Sequence, residues 1–175
     1  MPGFTPSYTF SGITIRDSRD SNATACDNAI CDWSASGYRL PTEGEWQYAA
    51  SYIDGIYWTP YSYASGAVEN TSDAISVVAW YVANSGGKTQ NVGLKESNQL
   101  SAYDMSGNVW EWCWDWQGTY PSTSTDYRGP SSGTKRITRG GDWHVSGEYL
   151  QIGYRLDSIP QYGDDYMGLR VTRSE

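Results

Sequence analysis

The sequence is poor in histidine, cysteine, phenylalanine and basic residues. Its 175 residues include one His, three Cys and two Phe, and 12 Lys or Arg stand against 20 Asp or Glu. With His144 as the single histidine, a Ser-His-Asp triad would depend on one residue whose sequence neighbours suggest no partner. The net charge of −8, without a Lys/Arg cluster, excludes the phosphate backbone of nucleic acid as a partner.

The cysteines are too few and too irregularly spaced for a stapled scaffold or a zinc site. An odd number, Cys26, Cys31 and Cys113, argues against a disulfide framework, and no C-x2-C or H-x3-H spacing is present. The segment Asn22–Trp33 has a helical pattern, with Cys26, Ile30 and Trp33 on one face. Such a helix points Cys26 and Cys31 in different directions, so free buried thiols are favoured.

Long apolar runs are also missing. The longest, Ala74–Ala83, is about half of the roughly 20 residues that a membrane helix needs, so no membrane-spanning segment is predicted. The first residues lack the basic and apolar regions of a signal peptide. We therefore expect either a cytoplasmic protein or an export segment outside this sequence.

Tryptophan and tyrosine are abundant, with nine Trp and fifteen Tyr. The segment Val109–Trp116 alternates with period two and places four Trp on one face, which predicts a strand. A shorter alternation, Ile13–Arg16, predicts a second strand whose two isoleucines share a face.

One helix start is encoded locally. Thr42 and Glu45 form a capping box, which predicts a short helix through Ala50. The residues that it is expected to bury are Trp46, Ala49 and Ala50. The following segment, Tyr52–Asn70, shows neither the helical nor the strand period of apolar residues and is predicted to be a long loop. Many loops, few helices and one strongly patterned strand indicate a single α+β domain over residues 1–175.

Three stretches together carry a family resemblance. They are Tyr38–Ala50 (YRLPTEGEWQYAA), Ala102–Trp112 (AYDMSGNVWEW) and Arg139–Trp143 (RGGDW), followed by Gly168–Val171 (GLRV). Their order and spacing resemble the formylglycine-generating-enzyme, or sulfatase-modifying-factor, family. The resemblance implies a C-type lectin-like fold, rich in loops, with a small antiparallel sheet and two short helices.

The resemblance does not extend to the catalytic cysteines. The family's enzymes oxidise a sulfatase cysteine with a cysteine pair that holds copper, and the matching positions here are Val145 and Leu150. Neither side chain can be a thiolate, and a copper(I) site needs soft thiolate ligands. We therefore expect the scaffold without the oxidase activity and without copper.

A structural calcium site is a second family feature. The matching ligands here are the carboxylates of Asp104 and Glu111 and the carbonyls of Gly107 and Val109. Calcium takes six to eight oxygens, and one tight turn could supply several of them. The alternative is that both carboxylates simply accept hydrogen bonds from amides of the turn.

The segment 142–167 has the composition of a recognition loop. It holds five acids and one base and mixes Tyr, Ser, Gly and Asp without helical or strand period. The family includes variable proteins of diversity-generating retroelements, in which the matching segment is randomised. The ligand-binding residues that this likeness implies are Asp142, His144, Val145, Tyr149, Gln151, Asp157, Ile159, Tyr162, Asp164, Asp165 and Tyr166. The alternatives are ordinary drift in a surface loop and a segment partly packed on the tryptophan strand. Ile152, Tyr154 and Leu169 are expected to be core residues.

Three functions follow in order of preference. The first is non-catalytic ligand binding, anchored by Tyr149, Tyr162 and Tyr166, with a basic or polar protein or a small polar molecule as the ligand. The second is an enzyme, either a relic oxidase or a carboxylate-based hydrolase. The third is a sugar-binding lectin, although the Glu-Pro-Asn and Gln-Pro-Asp signatures are missing. Display at the cell surface is implied by the variable-protein resemblance alone.

Overall fold

A computed structural model describes residues 3–15, 28–121 and 126–174. These residues divide into two compact units, one formed by residues 1–40 with 170–175 and the other by residues 41–169. A single domain over residues 1–175 stays a prediction. Among the described residues, no helix is both long and apolar enough to cross a membrane.

The first unit holds a three-stranded antiparallel sheet in the order β2-β1-β3. Its strands are β1 (Tyr8–Phe10), β2 (Ile13–Thr14) and β3 (Ile30–Cys31). The strand predicted over Ile13–Arg16 is present as β2, and Arg16 lies outside the described residues.

The helix predicted over Asn22–Trp33 is wrong in its described part. Cys31 pairs with Tyr8, and Ile30 pairs with Thr9, in an antiparallel ladder. Cross-strand hydrogen bonds therefore replace the expected helical ones. Such pairing depends on a distant segment, so a local helical pattern cannot predict it. Cys31 is a buried free thiol, as expected, whereas Cys26 lies outside the described residues.

The second unit begins with the capped helix α1 (Glu43–Ser51). The Glu45 amide donates to Thr42 Oγ1 at 3.1 Å, and the Thr42 amide donates to Glu45 Oε2 at 2.8 Å, so the predicted capping box is confirmed. Trp46 and Ala50 are buried as predicted, and Ala49 packs half-buried against the same core cluster. Tyr52–Asn70 is the predicted loop, and helix α2 (Ser72–Val78) follows it.

A four-stranded sheet in the order β6-β5-β4-β7 lies in this unit. It is built from β4 (Trp110–Trp116), β5 (Arg136–Arg139), β6 (Leu156–Ser158) and β7 (Met167–Leu169). A one-turn 3-10 helix (Gly147–Leu150) precedes β6. The α+β class with two short α-helices is confirmed, and one detail differs because β7 runs parallel to β4 in an otherwise antiparallel sheet. The strands β6 and β7 are consequently at opposite edges.

The two faces of β4 differ in burial, and the tryptophan face is the less buried of the two. Trp110 is buried, but Trp112, Trp114 and Trp116 are half-buried, whereas the face with Glu111, Cys113 and Asp115 is buried throughout. Partners inside the unit explain this difference. The Trp46 indole donates to Glu111 Oε2 at 2.7 Å, and the Arg136 guanidinium lies over the outer rings, 3.9 Å from the centroid of Trp116.

Three residues near the C-terminus, Ile152, Tyr154 and Leu169, were expected in the core, and one of them is fully buried. Ile152 joins the core cluster of Trp46, Met105 and Ile137, and Tyr154 is half-buried. Leu169 is wrong as a core residue, because 65% of its surface is exposed. It ends β7, which is an edge strand of the sheet formed by the described residues.

A buried charge network joins α1, β5 and the tail. Arg155 binds both carboxylate oxygens of Glu43, at 2.5 and 2.7 Å, and Arg139 Nε lies 3.4 Å from Glu43 Oε1. The side chains of Glu43 and Arg139 are completely buried. Burial also raises the pKa of the neighbouring Cys113 thiol well above its ordinary value, so this thiol is protonated near neutral pH.

Asp115, at the edge of this network, should make stability depend on pH. Burial raises its pKa from 3.8 to about 6, although the Glu43 amide donates to it at 2.7 Å. The native state therefore retains a proton between these values that the unfolded chain releases, so Asp115 contributes stability below pH 4 that is lost as the pH rises through about 6. The loss should reach up to about 3 kcal/mol.

Urea unfolding of the wild type and of Asp115→Asn across this pH range tests the effect. The difference in free energy of unfolding between them should change by that amount. Glu69→Gln, at an exposed position, is the control and should show no such change. Parallel pH profiles for Asp115→Asn and the wild type would contradict the assignment.

Candidate functional site

The C-terminal segment turns away from the sheet at Asp142. This side chain is buried, and its Oδ1 accepts the amide N–H of His144 at 2.7 Å and that of Val145 at 3.1 Å. The Nδ1 of His144 lies 2.9 Å from the same oxygen. Nδ1 therefore carries a proton and donates it to Asp142 Oδ1. Asp142 thus positions the half-exposed His144 from below.

His144 is the centre of an aromatic and acidic surface group. Its ring centroid lies 5.0 Å from those of Trp143 and Tyr166. The Tyr162 and Tyr166 rings are 6.3 Å apart, and Tyr162 reaches Asp164. We call His144, Tyr162, Asp164 and Tyr166 the tail cluster. It lies beside β7, where the Trp110 amide donates to the Tyr166 carbonyl at 2.8 Å.

The hydroxyl groups of the tail cluster form a directed chain that ends on a carboxylate. Tyr162 donates to Asp164 Oδ2 at 3.1 Å, and its hydroxyl oxygen lies 2.6 Å from that of Tyr166. Because Tyr162 has one proton, Tyr166 donates to Tyr162. The Asp165 amide, at 2.8 Å, and these hydroxyls lower the pKa of Asp164. By contrast, donating a hydrogen bond to Tyr162 raises the pKa of Tyr166, because the bond is lost when Tyr166 gives up its proton. The cluster therefore presents the Asp164 carboxylate next to two hydrogen-bonded tyrosine rings.

Several predicted ligand-binding residues lie apart from this cluster. Tyr149 packs edge-on against Tyr154 at 4.9 Å, and Gln151 forms a β-bridge with Ala64. Val145 packs against the core cluster around α2. Asp157 is on β6 and pairs with Lys135 at 2.6 Å.

The sheet order separates Asp157 from the tail cluster. Because β6 and β7 are the two edges of a four-stranded sheet, about three strand spacings, or roughly 14 Å, separate these strands. Ile159 and Asp165 are both exposed, and the Ile159 carbonyl accepts the Tyr162 amide at 2.9 Å. The predicted set therefore contributes one compact cluster with Asp142 beneath it, together with dispersed residues.

Arg155, the one basic residue of segment 142–167, has a structural role. Arg155 is engaged by Glu43 and also donates to the Gly118 carbonyl at 3.3 Å. Its charge therefore compensates an internal carboxylate, and the exposed acids of residues 142–167 are Glu148, Asp164 and Asp165. A count of charged residues in the sequence does not show which charges are paired inside the fold, so it could not separate Arg155 from the exposed acids.

The predicted calcium ligands have separate hydrogen-bond partners. Asp104 Oδ2 accepts the Gly93 amide at 2.7 Å, and Glu111 accepts the Trp46 indole. Neither of these donors belongs to the Asp104–Glu111 turn itself. Asp104 Oδ1 is buried without a hydrogen-bond partner, which suits a cation, but the described residues contain no group of three His, Cys, Asp or Glu that could hold a metal. The Gly107 carbonyl accepts the Val109 amide at 2.9 Å. Calcium therefore stays a prediction.

Comparison with known proteins identifies the family. Residues 19–175, all but the first 18, match the sulfatase-modifying factor enzyme 1-like domain. The chain belongs to this family. Among curated relatives of the family, the chaperone protein LppX of Paenibacillus barcinonensis is 35% identical over 97% of this chain and 61% of that protein. The formylglycine-generating enzyme of Thermomonospora curvata is 28% identical over 91% of this chain and 57% of the enzyme.

Solved structures of the family share the fold. Treponema denticola variable protein 1 superimposes with a TM-score of 0.79 and 34% identity, over 96% of this chain and 62% of that one. CarF gives a TM-score of 0.69 at 26% identity, over 97% of this chain and 59% of that one. The resemblance to the formylglycine-generating-enzyme family, its variable-protein branch included, and the lectin-like fold are thus confirmed. The chain spans about three fifths of the length of these proteins.

Sequence reasoning missed one wall of the site. Trp143 contacts the His144 ring, and its amide donates to the Asn108 carbonyl at 3.0 Å, which links the tail to the Asp104–Glu111 turn. In the sequence, Trp143 is marked only as the last residue of the RGGDW motif. Its position directly before His144, a predicted ligand-binding residue, is the signal that the sequence offers.

Proposed function

We propose that this chain is a non-catalytic ligand-binding domain of the sulfatase-modifying factor family, and that the tail cluster is the centre of its recognition surface. The observation that carries the proposal is the exposed grouping of His144, Tyr162 and Tyr166 around the Asp164 carboxylate. Rings of this kind supply contact area at low cost in conformational entropy. Hydrogen bonds among them hold the surface in place before a ligand arrives.

The chemistry of the tail cluster favours a cationic group on the ligand. Asp164 is ionised at neutral pH, and its hydrogen-bonded neighbours are rings whose faces attract cations. A Lys or Arg side chain of a protein partner would meet a carboxylate and aromatic faces together. The internal use of Arg155 removes the competing positive charge.

Catalysis is not part of this proposal. The two positions that match the oxidase cysteines are Val145, which packs on the core, and Leu150, which is fully buried. Cys113 is a buried, protonated thiol on β4 and is a poor nucleophile. Trp112, Trp114 and Trp116 are half-buried, and Arg136 lies over the rings of the last two, so they make a poor open platform for stacking sugars.

A displayed library of random peptides tests the proposal. We expect the wild-type protein to enrich peptides with Lys or Arg. The Tyr162→Ala variant should bind the selected peptides about tenfold more weakly, or weaker still. Tyr103→Ala is the matched control, because 44% of Tyr103 is exposed against 42% of Tyr162, and it should change affinity less than about twofold. Selected peptides that bind Tyr162→Ala and Tyr166→Ala as tightly as the wild type would place the recognition surface elsewhere.

The finer proposal is that residues 142–167 are diversified, as in the variable proteins of retroelements, and displayed at a cell surface. It is supported by the likeness to Treponema denticola variable protein 1. A near-copy of the DNA for this segment, differing at adenines and next to a reverse transcriptase gene, would support it. An unrelated genomic neighbourhood would count against diversification while leaving ligand binding intact.

A further inference from the structure

A cavity of about 290 Å³ lies under the long loop that follows α1, outside the C-terminal segment. Tyr52, Tyr63 and Ala67 line its interior, Val68 lies at its rim, and Thr59 and Gln99 contribute polar groups. None of the described residues that line it carries a charge.

Contacts behind the lining hold the cavity open. The Tyr52 ring packs against Tyr48 and Trp58, with centroids 5.7 Å away in both cases. The Thr59 amide donates to the Ser51 carbonyl at 2.8 Å, which ties the loop to the end of α1. Ala67 belongs to the buried core cluster around α2. The walls are therefore formed without help from a ligand.

The lining restricts what can enter. A charged group on a ligand would find no ionic partner among the described residues of the lining, so its partial loss of water would not be compensated there. The volume lies at the lower limit for small-molecule sites, so one ring-sized group fits and an extended ligand does not. The two tyrosine rings offer edge and face contacts to another aromatic ring. Thr59 and Gln99 can form neutral hydrogen bonds with one N–H or O–H group.

We propose that this cavity is a binding site for a single uncharged aromatic ring that carries one hydrogen-bonding group, such as an indole or a phenol. The site is independent of the tail cluster and does not rest on the proposed function above. Because it lies outside residues 142–167, its specificity stays constant if that segment is diversified.

Titration of the protein with indole, followed through the NMR signal of the Ala67 methyl group, tests the proposal. We expect a saturable shift below about 10 mM indole, and binding of benzoate and benzylammonium at least about tenfold weaker. N-Acetyltryptophan amide separates two sources of the ring. Binding as tight as that of indole would identify a peptide side chain, and weaker binding would identify a free small molecule; both results support the aromatic class.

Two variants locate the site. Val68→Trp at the rim should weaken indole binding by about tenfold, whereas Val92→Trp should not change it. The two valines are matched in exposure, at 86% and 80%, and Val92 does not line the cavity. Ala67→Leu fills the cavity from its wall and should act like Val68→Trp; if it fails to fold, Val68→Trp still decides. Three results would overturn the proposal. They are the absence of a saturable shift with indole, an equal loss of indole affinity in Val68→Trp and Val92→Trp, and binding of benzoate or benzylammonium as tight as that of indole.

Discussion

Glu43→Ala should lower the free energy of unfolding by about 3–5 kcal/mol, because it leaves two guanidinium groups without their shared carboxylate. Arg139 is completely buried, and burial already lowers its pKa against the opposing effect of Glu43. Arg155 makes two hydrogen bonds to the same carboxylate, which raise its pKa. The buried positive charge would thus remain uncompensated between α1 and β5.

Urea denaturation followed by circular dichroism at neutral pH measures this loss. Glu43→Gln keeps the shape and one acceptor, so it should lose less stability, and it provides the measurement if the alanine variant does not fold. Glu69→Ala is the exposed control and should remain within about 0.5 kcal/mol of the wild type. A loss below about 1 kcal/mol for Glu43→Ala would mean that water or neighbouring groups solvate the arginines.

Gly107→Ala should cost about 4 kcal/mol or more, because a side chain at this position has no room. Gly107 has a φ of +80°, and a Cβ there would lie 2.2 Å from the Trp80 carbonyl oxygen and 2.9 Å from its nitrogen. These are backbone atoms held by a β-bridge, and the Trp80 carbonyl also accepts the Asn108 amide at 2.8 Å. The alanine can be accommodated only if the two segments separate.

Gly86→Ala is the matched control for this prediction. Gly86 also has a left-handed φ, +68°, but a Cβ there would meet no atom within 4 Å. It should therefore cost only the backbone strain, about 1 kcal/mol. Thermal and urea unfolding of both variants separate strain from collision, and equal losses would contradict the steric explanation. Gly107→Ala should also disturb Trp143, whose amide donates to the Asn108 carbonyl.

Local features of the fold were predictable from the sequence. The capping box of Thr42 and Glu45 involves residues three apart, and its geometry depends on little else. The alternation in Val109–Trp116 predicts a strand, and β4 covers Trp110–Trp116. A motif order that extends from Tyr38 to Val171 was enough to indicate the family, which the domain match confirms.

Which face is buried was not predictable in the same way. Period two assigns Glu111, Cys113 and Asp115 to one face of β4, but the choice of inner face depends on Trp46 and on the amide of Glu43, far along the chain. Ile30 and Cys31 became a strand because β1 offers them a partner. Leu169 stayed exposed because β7 is an edge strand.

The candidate site divides along the same line. Composition and the family resemblance together singled out residues 142–167, a segment rich in acids, tyrosine and glycine, because these residue types suit adaptable contacts in any fold. The chain's path then selected among them, since β6 and β7 occupy opposite edges of one sheet and only the residues next to β7 meet His144. Residue type is a local property carried by every position, whereas proximity depends on long-range pairing and burial, which exist only once the whole unit has packed.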